Sequence, residues 1–428
     1  MTPEIEKRIK AVRAGRVPAG YKKSKVGIVP KDWDVYDLKS ISIELHESAG
    51  KEIYEPLSIS AGIGFVNQTN KFGKDISGAQ YAKYTVLKKG DFSYNKGNSK
   101  KYPQGCVYQL KDRDEAVVPN VFESFRLING ENDFFEQLFI NGFLNGQLFS
   151  KINHGVRDDG LLNLRGDDFY SCQVPFPSLS EQKKIAEILA TQDRVIELKE
   201  KLIAEKQSQK KYLMSVLLGD DFKKPFKLNS VTIDKKKWEK KKLGDICDTF
   251  SGGTPSRSHP EYFNGDIPWI KSGELNQENI YETEEFLTKK GIESSSAKMV
   301  KKGTLLIAMY GATAGVLAVS HIDAAINQAI LALIPNIDIN PFYLKSTIAN
   351  QIDVAVHRLV QGGQPNFNAS IINAFELRLP TLPEQEAIAK VLSAADEEIF
   401  LLQKDLEQQK LKKKSLMQLL LTGLVRVQ

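Results

Sequence analysis

The chain has 428 residues, 41% of them hydrophobic and 26% charged, and a net charge of +6. That length and balance predict more than one domain with sizeable buried cores, and they exclude a disordered tail protein or a membrane-embedded chain, because no apolar run approaches the length of a bilayer span. Three widely spaced cysteines (Cys106, Cys172 and Cys247) and five scattered histidines fit neither a disulfide framework nor a metal-ligand spacing, which predicts a reducing, cytoplasmic setting.

Residues 1–28 read as an N-terminal helix and connector. The helix covers 3–14 with Ile5, Ile9 and Val12 on one side, and the connector is Lys-rich and broken by Pro and Gly. The opening Met1-Thr2-Pro3-Glu4 lacks the apolar core of a secretory leader. A globular region occupies 29–177, with strand-like runs at 84–87, 91–94 and 106–110 and a helical run over 134–152. A long helix spans 178–220 and a linker 221–231. A second globular region covers 232–380, and a second long helix 381–424. Lysines crowd 235–242 and recur at Lys96, Lys100 and Lys101. They permit a polyanionic partner without establishing one.

The two long helices are copies. Glu181 and Glu384 lie 203 positions apart, as do Ile185 and Ile388, Asp193 and Asp396, and Met214 and Met417, with no gap in between. Ser178 with Glu181 and Thr381 with Glu384 each carry the pattern of a capping box. Leu189, Ile196, Ile203 and Leu217 repeat every seven residues, interrupted by Lys210. Leu392, Ile399, Leu406 and Leu420 do the same, interrupted by Lys413. A sustained seven-residue period predicts an antiparallel coiled-coil pair of rods, each about 60 Å long. In that setting Lys210 and Lys413 read as side chains that carry their charge out to solvent. The globular regions share weaker landmarks: Trp33 and Trp238, Leu38 and Leu243, Lys88-Lys89-Gly90 and Lys301-Lys302-Gly303, Asn120 and Asn327, Asn163 and Asn366. The fold class predicted is α+β: two recognition domains of mixed sheet and helix, separated by paired long helices in a pseudo-twofold internal repeat. Trp33, Trp238 and Trp269 read as core anchors.

Motifs for catalysis are missing. There is no Walker A loop, no nucleotide-binding Gly-rich turn between strand and helix, no nuclease-like carboxylate–Lys cluster, no adenine-methylation motif and no Gly-x-Ser-x-Gly elbow. The polar loops suit nucleic acid instead. In the first region, Tyr94, Asn95, Lys96, Asn98, Ser99, Lys100, Lys101 and Tyr102 form a basic, aromatic-flanked loop, and His154, Arg157 and Asn163 belong to a second one. Lysines there bind phosphates and asparagines pair with adenine edges. In the second region the candidates are Thr254, Ser256 and Arg257 beside Gly252-Gly253, then Lys271 and Tyr310, then Gln364, Asn366 and Asn368 beside Gly362-Gly363. Glycines there let backbone amides approach a phosphate. Two rival readings share some of these features: a coiled-coil scaffold without a DNA role, and a self-sufficient restriction or modification enzyme.

Taken together, Gly27-Ile28-Val29-Pro30-Lys31-Asp32-Trp33, the Pro-x-Leu-x-Glu-Gln runs at 177–182 and 380–385, the Leu-Met pairs at 213–214 and 416–417, Asn95-Lys96-Gly97 and Gly252-Gly253-Thr254-Pro255-Ser256 resemble the specificity subunit of type I restriction–modification enzymes over nearly the whole chain. The resemblance implies a non-catalytic DNA-binding subunit for phage defence and DNA methylation. Each of two target recognition domains would read one half of a bipartite site. The paired helices, through Leu189, Ile196, Ile203, Leu217, Leu392, Ile399, Leu406 and Leu420, would set the spacer and dock two methyltransferase subunits and, indirectly, motor-nuclease subunits. S-adenosylmethionine, ATP and Mg2+ would belong to those partners, whose complex would be an adenine-N6 methyltransferase and ATP-dependent endonuclease. Residues 1–26 are the part that it explains least.

Overall fold

The computed structural model describes residues 2–73, 78–97, 102–152, 162–219, 224–336, 338–359 and 367–427. The chain divides into two compact units, one of residues 1–200 with 405–428 and one of residues 201–404. Among the described residues no helix is long and apolar enough to cross a membrane.

In the first unit, helix Pro3–Arg13 precedes a hairpin, Tyr21–Ser24 with Gly27–Pro30. Strand Asp34–Asp37 then pairs antiparallel with Gln173–Phe176. A single helical turn, Leu38–Ile41, leads into a four-stranded antiparallel sheet. Its order is Ser42–Glu44, Glu123–Leu127, Phe92–Asn95, Cys106–Gln109. Its core is aromatic: Phe92 and Phe125 stack with centroids 5.3 Å apart, and Phe139 meets both edge-on. Such pairs each add roughly 0.5–1.5 kcal/mol beyond the area that they bury. The predicted helix over 134–152 is two helices, Asn132–Ile140 and Asn145–Lys151. Gly142, at φ +74°, turns the chain between them.

The second unit repeats the frame. A hairpin, Phe226–Leu228 with Val231–Ile233, precedes strand Glu239–Lys242, which pairs antiparallel with Glu376–Leu379. The helical turn Leu243–Ile246 leads into a sheet ordered Cys247–Ser251, Ile330–Pro335, Leu305–Ala308, Leu317–Ser320, Asn279–Ile280. Even single bonds recur: the Leu38 amide donates to the Cys172 carbonyl, and the Leu243 amide to the Phe375 carbonyl, both at 2.9 Å. The core here is aliphatic, with Leu305, Leu306, Ile307, Leu331 and Leu333 buried between layers.

The frames differ in what is inserted before the third landmark. Between Ser42–Glu44 and Phe92–Asn95 the first unit holds the hairpin Leu57–Ser60/Gly64–Asn67, and a strand, Thr85–Lys88, that pairs with Glu115–Val118. The second unit builds a separate four-stranded sheet, in the order Glu285–Leu287, Phe263–Ile270, Ala324–Ile326, Lys298–Val300.

The long helices are Leu179–Leu218 and Leu382–Leu420. In the first unit Gln192 bonds Gln409, Lys199 pairs with Asp405, and Lys413 pairs with Asp193 at 2.5 Å. In the second, Lys206 pairs with Glu398 at 2.6 Å and Lys210 with Asp396. Numbers rise on one helix as they fall on the other, so the helices pack antiparallel. Leu189, Ile203, Leu217, Leu392, Ile399, Leu406 and Leu420 are buried, and Ile196 is half-buried. Lys210 and Lys413 correct the solvent-reaching reading: each is paired with the aspartate of the other copy of the repeat.

Two further expectations are corrected. The connectors at 15–27 and 221–231 each contain hairpin strands, closed by Gly27 at φ +105° and Asn229 at φ +52°. Neither capping box closes reciprocally. The Glu181 amide donates to the Ser178 hydroxyl at 3.3 Å, but the Glu181 carboxylate turns to Trp33, whose indole N–H donates to it at 2.9 Å. At the second helix the Glu384 carboxylate accepts from the Thr381 amide at 3.0 Å, while the Thr381 hydroxyl donates to that same carboxylate at 2.8 Å rather than capping. Glu384 also takes the Trp238 indole at 3.2 Å. Each Trp is therefore a core anchor that ties its sheet to its helix.

Candidate nucleic-acid interface

In the first unit the candidate loop leaves the sheet at the end of strand Phe92–Asn95. Tyr94 faces the core, fully buried, with its ring stacked on Phe169 at 4.6 Å and its hydroxyl donating to the Gln104 carbonyl at 2.8 Å. Its burial removes it from the contact set. The Asn95 side chain donates to the Ile59 carbonyl at 3.2 Å and accepts the Gly97 amide at 2.8 Å. It fastens the loop to the neighbouring hairpin and folds its first turn. Lys96 pairs with Glu123 at 2.5 Å, and its side chain is only 14% exposed. It neutralises a carboxylate rather than offering charge to a phosphate. Tyr102 is half-buried at the return of the loop, against Gly62 and Tyr108. Burial pushes the Tyr108 phenol up to about 12. Asn163 is exposed, and the Leu162 amide, donating to the Lys96 carbonyl at 2.9 Å, sets it beside this loop. Asn98, Ser99, Lys100, Lys101, His154 and Arg157 lie outside the described residues.

Gly105 is required where the loop rejoins the sheet. Its φ is +75°, and an added Cβ would stand 2.4 Å from the Asn95 carbonyl oxygen. The pocket beneath the loop, about 120 Å³, is lined by Tyr102, Cys106, Tyr108, Phe139 and Leu144 among others. Burial pushes the Cys106 thiol up to about 11, so it stays protonated and unreactive at neutral pH.

In the second unit the Gly252-Gly253 pair does not present amides to a ligand. A Cβ at Gly252 would lie 1.8 Å from the Ile326 carbonyl oxygen, and one at Gly253 2.1 Å from the Ser296 hydroxyl. The Gly253 amide is already donated to Ile326 at 3.1 Å. These glycines let two chain segments touch, which corrects the phosphate-cradle reading. Just beyond them, Thr254, Ser256, Arg257 and Ser258 are exposed. The Thr254 hydroxyl bonds the Gln328 side chain, and the Ser256 and Ser258 hydroxyls bond each other at 2.7 Å. The Asn327 amide donates to Ile270 at 3.1 Å, which carries Gln328 next to Lys271. Lys271 is held by Glu285 at 3.0 Å and Glu284 at 3.2 Å. Arg257 pairs with Glu285 at 2.8 Å. Burial alone would lift the Glu285 carboxyl; the bonds from Lys271 and Arg257 outweigh it and hold the group below its ordinary range.

Thr254, Arg257 and Lys271 therefore meet on one polar surface with Gln328, Glu284 and Glu285, none of which residue type and spacing had marked as candidates. Tyr310, 37% exposed, is joined to this region through the Met309 amide, which donates to Ala329 at 2.8 Å. Asn368 caps the short helix Ala369–Asn373, accepting from the Ile371 amide at 2.9 Å. Gln364 and Asn366 lie outside the described residues. Among the described residues no three His, Cys, Asp or Glu side chains are grouped to hold a metal ion.

The family model for the type I restriction modification DNA specificity domain matches the chain twice, at residues 30–206 and 235–413. The chain is 26% identical to a Methanocaldococcus jannaschii protein described as the MjaX type I restriction enzyme specificity subunit, over 95% of this chain and 97% of that protein. It is 27% identical to the EcoR124I/EcoR124II specificity subunit of Escherichia coli, over 52% of this chain and 53% of that one. Among solved structures, a chain from a study of complex assembly and conformational transition in the type I R-M system matches with a TM-score of 0.58 and 17% identity, covering 93% of this chain and 99% of its own length. The type I restriction-modification S subunit from M. genitalium matches at 0.55 and 16%, covering 91% and 96%. Both share the fold.

Proposed function

The chain belongs to the type I restriction–modification DNA specificity family, and from that premise we propose that it is the non-catalytic subunit that gives such a complex its DNA sequence specificity. The first module reads one half of a two-part site and the second module reads the other. The paired helices hold the modules at a fixed spacing and offer a docking surface to two methyltransferase subunits and, through them, to motor-nuclease subunits. Methyl donor, ATP and Mg2+ are then the partners' own.

The observation that carries this reading is the double match to the specificity-domain model, each copy ending in one of two helices that pair antiparallel. Lysines and arginines supply salt-dependent affinity. Side chains on the diverged loops supply base discrimination, about 1–3 kcal/mol for each good paired contact. A scaffold without a DNA role shares the rods but does not account for the two specificity-domain matches.

The test is to sequence methylated bases in a methylation-free host expressing the chain with its cognate modification subunit. A new two-part methylated motif that disappears when this chain is omitted is the expected result. A stable complex that leaves no new motif contradicts the proposal.

A further inference from the structure

We propose that Arg257 reads a guanine in the half-site of the second module, and that Glu285 is the residue that positions it. The proposal rests on the reading of that module as a DNA reader, and it names the base.

Three observations on one surface carry it. First, Arg257 is stacked: its guanidinium carbon lies 4.4 Å from the centroid of Phe263 and 5.5 Å from that of Trp269, a buried ring. Second, Glu285 takes Nη2 at 2.8 Å, yet the side chain remains 59% exposed. Two aromatic rings and one carboxylate thus fix a side chain that otherwise carries many rotamers. Among the described residues no other acceptor meets the guanidinium, so most of its five N–H donors stay available. Third, the surroundings are electrically balanced. Glu285 also holds Lys271 at 3.0 Å, and Glu284 holds it at 3.2 Å. Two cations face two carboxylates.

That balance decides between phosphate and base. A phosphate brought to Arg257 would gain little, because the pull of Arg257 and Lys271 is offset by the carboxylates paired with them. The edge of a guanine is neutral and presents O6 and N7 at the spacing of a guanidinium fork. Lys271, a point donor with 29% of its side chain exposed and two carboxylates on it, is spent in holding Glu285. The four residues come together because Trp269 stands opposite Glu285 in the strand register.

The test uses the full chain with its modification subunit. Methylated motifs are compared for the wild type, Arg257→Ala, Arg257→Lys and Glu285→Gln, after exchange of residues 232–380 has assigned the second half-site. Arg257→Ala is expected to relax one G·C position of that half-site by about tenfold or more, with the first half-site and the spacer unchanged. Arg257→Lys keeps the charge but not the fork and relaxes the same position, which holds the test open should the alanine variant fail to assemble. Glu285→Gln weakens discrimination at that position only. Binding measured against salt is expected to keep its slope in Arg257→Lys and Arg257→Ala; a slope lower by about 0.9 in the alanine variant marks a phosphate contact and overturns the assignment. Unchanged motifs in all variants, or a second half-site with no G·C pair, overturn it while leaving the module's DNA reading intact. A wild-type complex without any two-part motif overturns both.

Discussion

The two modules share a frame and differ in what fastens it and what fills it. In both, a tryptophan indole donates to the glutamate in the first turn of a long helix, Trp33 to Glu181 and Trp238 to Glu384. In the second module that glutamate's other backbone donors are the amides of neighbouring Thr381 and of Asp234, 150 residues away, with no cation among them. In the first it finds Arg426, which bonds both Glu181 and Asp32 from 245 and 394 residues away. The same end of the second helix is held by Tyr21, whose hydroxyl donates to the Gly423 carbonyl at 2.6 Å, and by Arg8 on Leu424. In the second module Lys235 does this work, donating to the carbonyls of Val216 and Gly219. The residues that the resemblance left unexplained, 1–26, thus stand where the linker stands in the other copy. In the second module Lys235, just after the hairpin, secures the helix end; in the first, Arg8 and Tyr21 do so. The frame is duplicated, and divergence is concentrated in the inserted strands and loops.

This contrast can be broken at its fastenings. The largest effect is expected from Glu181→Ala, which leaves the buried Trp33 N–H without its acceptor and Arg426 with Asp32 alone; breaking a buried charge pair costs about 3–5 kcal/mol. Glu384→Ala, which strands only an indole and amides, should cost less, about 1–3 kcal/mol. Urea unfolding of the two variants measures the difference, and equal losses would contradict the asymmetric fastening. Next comes Gly252→Ala, where overpacking against Ile326 costs about 1–3 kcal/mol and is expected to abolish reading of the second half-site alone; a motif lost in both halves counts against modularity. Lys413→Ala, which strips the ion partner from Asp193 on a partly exposed seam and leaves it the Gln137 side chain, should cost no more than about 1 kcal/mol. Lys210→Ala should match it, because the pairs are related by the repeat.

Acid sharpens the same comparison. Burial raises the Glu384 carboxyl, but the bonds from the Asp234 and Thr381 amides and from Trp238 and Thr381 side chains outweigh it, and it is held below the ordinary 4.5. A depressed carboxyl stabilises the fold fully above that ordinary value and loses its contribution as pH falls through the lower folded value. Glu384→Gln should therefore flatten the fall in Tm as pH drops below the ordinary 4.5. An unchanged fall would contradict the assignment.

Much of the frame was legible in the sequence because it is periodic and local. The seven-residue seams, the 203-residue offset and the three tryptophans needed no knowledge of contacts. The linker hairpins were missed because Lys and Gly crowd them, although Leu228-Asn229-Ser230-Val231 carried a turn signal: an Asn able to take positive φ between apolar flanks. The paired seam lysines were missed for lack of a helix register. The candidate site was harder still. Asn95 and Lys96 look like readers by residue type, but their partners, Ile59 and Glu123, come from strands distant in sequence. Gly252-Gly253 has the composition of a phosphate loop and the geometry of a close crossing. Glu285 gave no signal, since its place beside Arg257 depends on the register of Trp269 against Glu285.

The central claim is that two modules on one frame read separate halves of one site. Exchanging residues 29–177 for the first module of another member of the family, and sequencing the methylated bases that the resulting complex leaves, tests it directly. The account predicts a motif with one half replaced, the other half retained and the spacer unchanged. A motif altered in both halves would contradict it.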